Sequence, residues 1–243
     1  MSIPMMNTRP ASLPGSLARS VASSFSTSAA AALAAALLAV GCATPQAYDY
    51  SAFRAHRPAS ILVLPPLNSS PDVNASYSLL AQVTRPLAES GYYVFPVALV
   101  DESFRNNGLD NPAEIHQVGL HKLREIFAAD AVLYLDIKQY GTTYAVLASE
   151  SRVTAEARLV DLRSGQELWT GKATASSAEG RNSSGGLAGL LVQAVLSQII
   201  ESTTNQSHPV AGITSHRLLS ADMPNGLLPG PRSPKYQQDA TRP

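Results

Sequence analysis

The sequence predicts an α/β fold: one globular domain in which a mixed sheet packs against helices. Three observations carry this. The run Ser60-Ile61-Leu62-Val63-Leu64 is apolar and stops at Pro65-Pro66, as a buried strand does. Apolar residues then recur at helical spacing until a second short run, Tyr92 to Phe95. A strand, a helix and a strand at this length make a parallel pair with a crossover. Finally, Leu159-Val160-Asp161-Leu162 runs through Arg163-Ser164-Gly165 into Leu168-Trp169-Thr170-Gly171, which reads as a hairpin with its glycine at positive φ.

The helix after the first strand opens near Asn68-Ser69-Ser70-Pro71-Asp72. Its expected apolar stripe is Val73, Tyr77, Leu80, Ala81, Thr84, Leu87 and Ala88. Pro86 falls inside that pattern, so a kink or a break is expected there. Gly91 ends the helix. Residues 98–129 look helical in pieces, with a turn at Asn107-Gly108 and new starts at Asn111-Pro112 and Leu120. Ala131 to Gln139 is an apolar strand with Asp136 inside it, and Tyr144 to Ser149 reads as another. Val153, Ala155, Ala157 and Leu159 alternate with Thr154, Glu156 and Arg158, as in a half-buried strand. Trp169, Ala173 and Ala175 should share one face. A last helix is expected over Leu187 to Glu201, where Gly185 and Gly189 have a spacing suited to close packing or subunit contact. The chain from Thr203 is rich in proline and polar residues and reads as a disordered tail.

The amino terminus is a targeting segment. A polar stretch with Arg9 and Arg19 precedes the run Ala29 to Val40, which is too short to span a bilayer and ends in Gly41-Cys42. Ala39-Val40-Gly41-Cys42 resembles a lipobox, and Cys42 is the single cysteine of the chain. Small residues admit the backbone to the signal peptidase, and the thiol is the nucleophile that takes the diacylglyceryl group. The expected organisation is a signal peptide over 1–41, a tether over 42–58, a domain over 59–202 and the tail over 203–243. Acylation fixes a protein firmly to a membrane. Ala43, where aspartate would retain a lipoprotein in the inner membrane, favours the outer membrane, with the domain facing the periplasm or the surface.

The 243 residues carry 18 basic and 18 acidic side chains. Such a balance gives no basic footprint for nucleic acid. Few constellations suggest chemistry. His121 and Glu125 are four apart, but with no third ligand in view they read as a solvated helix surface, so no metal is expected, and no cofactor. Asp136 and Asp161 sit beside strands as a possible carboxylate pair; Asp161 more naturally stabilises its turn. No Gly-x-Ser-x-Gly, Walker or His-Glu-x-x-His pattern is present. The loop with Pro65, Pro66, Asn68, Asp72 and Asn74 lies at the carboxyl end of a strand and enters a helix, where α/β sheets place ligand sites. It lacks the glycines of a phosphate cradle. A rigid turn or a partner-contact loop is the expected role.

Ile61 to Ala75, Leu87-Ala88-Glu89-Ser90-Gly91-Tyr92-Tyr93-Val94-Phe95-Pro96-Val97 and Leu159 to Gly165 resemble a family of bacterial lipoproteins of unknown function. That family includes a conserved neisserial antigen. The resemblance covers roughly residues 40 to 202. It implies a fold akin to the amino-terminal domain of TolB and the periplasmic core of CsgG. It also implies a shared envelope assembly with a CsgG-like lipoprotein, since relatives are often encoded beside one. The family brings no catalytic residues. The expected function is thus a non-enzymatic, membrane-anchored component that binds protein partners in an envelope complex, as a possible homodimer. The alternatives are an envelope hydrolase using Asp136 and a small-ligand lipoprotein using the 65–74 loop.

Overall fold

A computed structural model of the chain describes residues 48–144, 149–179 and 206–237. All of them fall within one compact unit, Tyr48–Pro243. Cys42, Gly185, Gly189 and the helix expected over 187–201 lie outside the described residues.

The elements run α1 (Ser51–His56), β1 (Ser60–Val63), β2 (Leu67–Asn68), α2 (Ala75–Glu89), β3 (Tyr93–Val94), α3 (Val97–Asn106), α4 (Pro112–Ile115), α5 (Leu120–Phe127), β4 (Ala131–Tyr144), β5 (Ser149–Asp161), β6 (Glu167–Ser176) and α6 (Ser207–Leu219). The sheet order is β3-β1-β4-β5-β6, with β2 paired to β4 just beyond β1. β1 is parallel to β3 and β4, and β4-β5-β6 is an antiparallel meander. The crossover and the hairpin are as expected, and Gly165 has φ +74° in the turn.

β1 reads as a continuous apolar run because each face meets a different core. Ile61 and Val63 join the core made with α1, α2 and α6. Leu62 and Leu64 join the second core, with Val100, Phe104, Ile115 and Leu123 of α3, α4 and α5. β4 begins in the same way, with Leu133 in the first core and Val132 in the second. Further along, Leu135 and Ile137 stay buried while Asp136 and Lys138 are not. The sheet therefore runs out from under the small helices, and the polar half of its alternation becomes a free surface.

The register slips at Lys138, because Ile137 pairs with Ala155 and Gln139 with Thr154. This bulge puts Lys138 and Gln139 both outside and returns Tyr140 to the core. β4 then continues to Tyr144, and of the separate strand expected from Tyr144 to Ser149 only the two ends are described. Tyr144 ends β4, Ser149 starts β5, and 145–148 lie outside the described residues.

Two further expectations are corrected in α2. Its buried face is Ala75, Leu79, Leu80, Val83, Pro86 and Leu87, whereas Val73 and Tyr77 are 83% and 52% exposed. Val73 lies before the helix starts, and packing selects the face of Leu79 and Val83 over that of Tyr77. It also runs unbroken through Pro86. Proline removes the N–H that would bond to the Gln82 carbonyl; the Ser215 hydroxyl donates to that carbonyl instead, at 3.1 Å.

The disordered tail is corrected as well. Residues 207–219 form α6, which packs on α2, β5 and β6 with Val210, Ala211 and Leu219 fully buried. Residues 220–237 follow as a strap. Trp169 Nε1 donates to the Asn225 carbonyl at 2.9 Å, and the Tyr50 and Tyr92 hydroxyls donate to the carbonyls of Gly226 and Leu228. Gly230 N–H donates to the Ser90 carbonyl at 2.8 Å. Nor is the stretch from Tyr48 to Pro58 a free tether: α1 buries Phe53, and the Tyr48 hydroxyl accepts the Thr170 N–H at 2.8 Å.

Candidate functional site

The uncovered sheet face is a groove of about 700 Å³ across β4, β5 and β6. Strand register builds it in two rows. Tyr134 pairs with Arg158, which pairs with Thr170; Asp136 pairs with Glu156, which pairs with Lys172. Leu67 of β2 and His116, just after α4, close one side.

Each row has its own chemistry. In the first, the Arg158 guanidinium lies 4.5 Å from the Tyr134 ring centroid, a cation–π contact. The His116 ring also meets that aromatic group edge-on, at 5.2 Å and 78°. Burial raises the Tyr134 phenol above its ordinary value, against the pull of Arg158. The second row is an alternating ion network. Lys138 Nζ bonds Asp136 and lies 3.6 Å from Glu156, and Lys172 Nζ bonds Glu156 at 2.9 Å. The hydrogen bond from Lys172 lowers the Glu156 carboxyl. Exposed pairs of this kind contribute little stability. Their effect here is to neutralise both carboxylates of the groove.

The 65–74 loop borders the groove through Leu67. Pro65 and Pro66 are buried, and His116 Nε2 shares a hydrogen bond with the Pro65 carbonyl at 2.9 Å. Asn68 Oδ1 accepts the Ser70 N–H at 2.9 Å, its Nδ2 donates to the Asp72 carbonyl at 2.7 Å, and Asp72 Oδ1 accepts the Asn74 N–H at 2.9 Å. Asn68 and Asp72 thus hold the turn, and Asn74 stands exposed at the start of α2. The loop reaches the groove floor through Ser69 Oγ, 3.5 Å from Asp136.

The carboxylate pair does not form. Asp161 pairs with Ala131, five residues along β4 from Asp136. An odd offset puts the two on opposite faces, roughly 17 Å apart along the strand. Asp161 instead accepts the N–H groups of Arg163 and Ser164, at 2.9 and 2.7 Å, and the Ser164 hydroxyl at 2.9 Å. Burial opposes its charge, yet these bonds and the nearby His56 hold its carboxyl below the ordinary value. His121 and Glu125 are exposed on α5, and Glu125 pairs with Lys122 at 3.2 Å. No group of three or more His, Cys, Asp or Glu suited to a metal occurs among the described residues.

Tyr134, Lys138, His116 and Lys172 were not among the expected site residues. Their signal was the polar half of each strand's alternation, but only register brings the rows together. A second polar node was also hidden. Tyr140 donates to Ser78 Oγ at 2.6 Å, and His208 joins Ser78 and Gln82 through its two nitrogens at 2.7 and 2.8 Å, tying α6 to α2.

His116 gives a testable consequence. Burial lowers its imidazole from the ordinary 6.5, outweighing the Pro65 carbonyl and Asp136, and Arg158 lowers it further. The fold therefore favours neutral His116. As pH falls below about 6.5 the unfolded chain takes up a proton that the fold resists, so stability is full above that value and declines through the window beneath it. Thermal melts across pH 5–8 should show this decline, and His116→Gln should remove it. His116→Ala should cost about 1–3 kcal/mol by leaving the Pro65 carbonyl without this partner.

Comparison with known proteins agrees in extent with the described fold. A family model described as "Putative lipoprotein GNA1162-like" matches residues 48–232, so it includes α6 and the strap beyond residue 202. "Putative lipoprotein NMB1124/NMB1162" of Neisseria meningitidis serogroup B (strain ATCC BAA-335 / MC58) is 52% identical over 186 residues, 76% of this chain and 86% of that one. The crystal structure of lipoprotein GNA1162 from Neisseria meningitidis is 54% identical, covering 60% of this chain and all of the other, with a TM-score of 0.49.

Proposed function

Because the chain belongs to the GNA1162-like lipoprotein family, we propose that it is anchored through Cys42 to the outer membrane and binds protein partners there without catalysing a reaction. The observation that carries this reading is the groove beside the 65–74 loop. Its carboxylates are spent on lysines, and its remaining polar groups form a recognition surface. The hydrolase alternative rests on Asp136, which is ion-paired with Lys138.

Cys42 precedes Tyr48 by six residues, which span at most about 20 Å when extended. An acylated Cys42 would hold the domain close to the bilayer. Pro65, Pro66, Asn68, Asp72 and Asn74 are the proposed partner-contact loop, with the two prolines fixing its base. A CsgG-like lipoprotein is the proposed partner class, and a homodimer the proposed assembly.

Cys42→Ser tests the anchor. The wild-type chain should fractionate with outer membranes and carry acyl mass on its first mature residue. The variant should keep its signal segment and lose the acyl mass. Membrane retention of a correctly cut Cys42→Ser chain would overturn the anchor.

A further inference from the structure

We propose that the groove is a carboxylate-recognition site that takes an acidic side chain of a partner protein segment, with Arg158 as its anchor. This assignment rests on the partner-binding reading and names the chemistry of the contact.

The argument starts from charge accounting within the groove. Asp136 and Glu156 face Lys138 and Lys172, so that row is closed on itself. Arg158 is different. Among the described residues it forms no ion pair, and its contact is the face of Tyr134. Burial shifts His116 toward its neutral form. The groove thus carries one uncompensated positive charge, at an exposed guanidinium.

The shape of that charge matters. A guanidinium is a planar fork that meets a carboxylate with two parallel hydrogen bonds. The cation–π contact with Tyr134 restrains the guanidinium, so less side-chain freedom is left to lose on binding. The exposed Thr170 stands on its other flank in the same row, offering a hydroxyl. Arginine and tyrosine together are the residue types that dominate binding energy at protein interfaces.

The occupant is a protein segment rather than a small molecule because the groove is an open sheet face. Ligand pockets enclose most of a small molecule's surface, whereas this floor spans three strands. A segment lying across it places one acidic side chain on Arg158 and its neighbours along the ion network.

The test titrates the mature lipidated protein, in detergent micelles, with the acetylated peptide amide Gly-Glu-Asp-Glu-Gly and its counterpart Gly-Gln-Asn-Gln-Gly. Binding is followed by NMR through the backbone amide of Thr170, which stands opposite residue 158 in every variant, and in the wild type also through the Arg158 Nε–Hε resonance. The acidic peptide should give a saturable shift, and the neutral one should bind at least about tenfold more weakly. Arg158→Gln should abolish the response, and Arg158→Lys should weaken it severalfold, because a point charge lacks the fork. Equal responses to both peptides, or unchanged binding by Arg158→Gln, would overturn the assignment. If a partner crosslinks to the groove in cells while the acidic peptide leaves Arg158 unmoved, the carboxylate assignment fails and partner binding stands. If the peptide binds and cells yield no partner, the reverse holds.

Discussion

Ending the chain before Ser207 is expected to abolish cooperative folding. The lost residues include Val210, Leu218, Leu219 and Leu227, each at most 2% exposed. At about 1.5–3 kcal/mol for each buried side chain, their removal costs roughly 6–12 kcal/mol. That matches the whole stability of a typical domain, about 5–15 kcal/mol. The truncation would also bare Val153, Ala155 and Trp169, and leave the Gln82 carbonyl without Ser215. Circular dichroism and urea unfolding should show no cooperative transition. A truncated chain that unfolds with the wild-type midpoint would mean that α6 is not part of the core.

Trp169→Ala should give the second largest effect, about 3–5 kcal/mol. Trp169 is 1% exposed and lies in the core shared by β5, β6 and α6. Its ring lies over Gly171, where an added Cβ would meet Trp169 Cζ2 at 2.3 Å and Leu218 Cδ1 at 3.2 Å. Glycine is required there because the indole occupies the place of a side chain. The indole N–H also holds the strap at Asn225. Trp169→Ala should therefore lower the melting temperature by about 6–20 °C and raise amide exchange in residues 220–230. Trp169→Phe keeps most of the apolar body and should cost about 1 kcal/mol through the lost hydrogen bond. Equal losses in the two variants would show that packing contributes little.

Much of the fold was legible in the sequence where a local signal had no distant competitor. The run Ser60 to Leu64, the alternation from Val153 to Leu159 and the turn at Arg163-Ser164-Gly165 each specify their own geometry. Pro86 shows the opposite. Its local rule predicts a break, and the rule is overridden by a hydroxyl 133 residues from the Gln82 carbonyl that it serves. The stripe of α2 was misplaced because Val73 and Tyr77 fit helical spacing as well as Leu79 and Val83 do; only packing separates them. α6 was hidden by composition. Its buried face mixes Val210, Ala211, Leu218 and Leu219 with Thr214 and Ser215, and the small hydroxyls read as solvent-facing.

The site was half legible. The 65–74 loop stood out through its prolines and turn residues, and Glu156 and Arg158 were visible as the polar half of a strand. What joins them is register. Tyr134 meets Arg158, and Asp136 meets Glu156 and Lys172, only because β4, β5 and β6 align as they do. A shift of one residue would bury these charges and expose the core.

The central claim is that a lipid-anchored domain binds a protein partner through this loop and groove. Site-specific photocrosslinking in intact cells tests it most directly, with the photoreactive residue placed at Asn68, at Thr170 and, as a control, at His121, exposed on α5 and outside the groove lining. The account predicts that Asn68 and Thr170 capture the same envelope protein, and that His121 does not. Adducts from His121 alone, or none from Asn68 and Thr170, would contradict it.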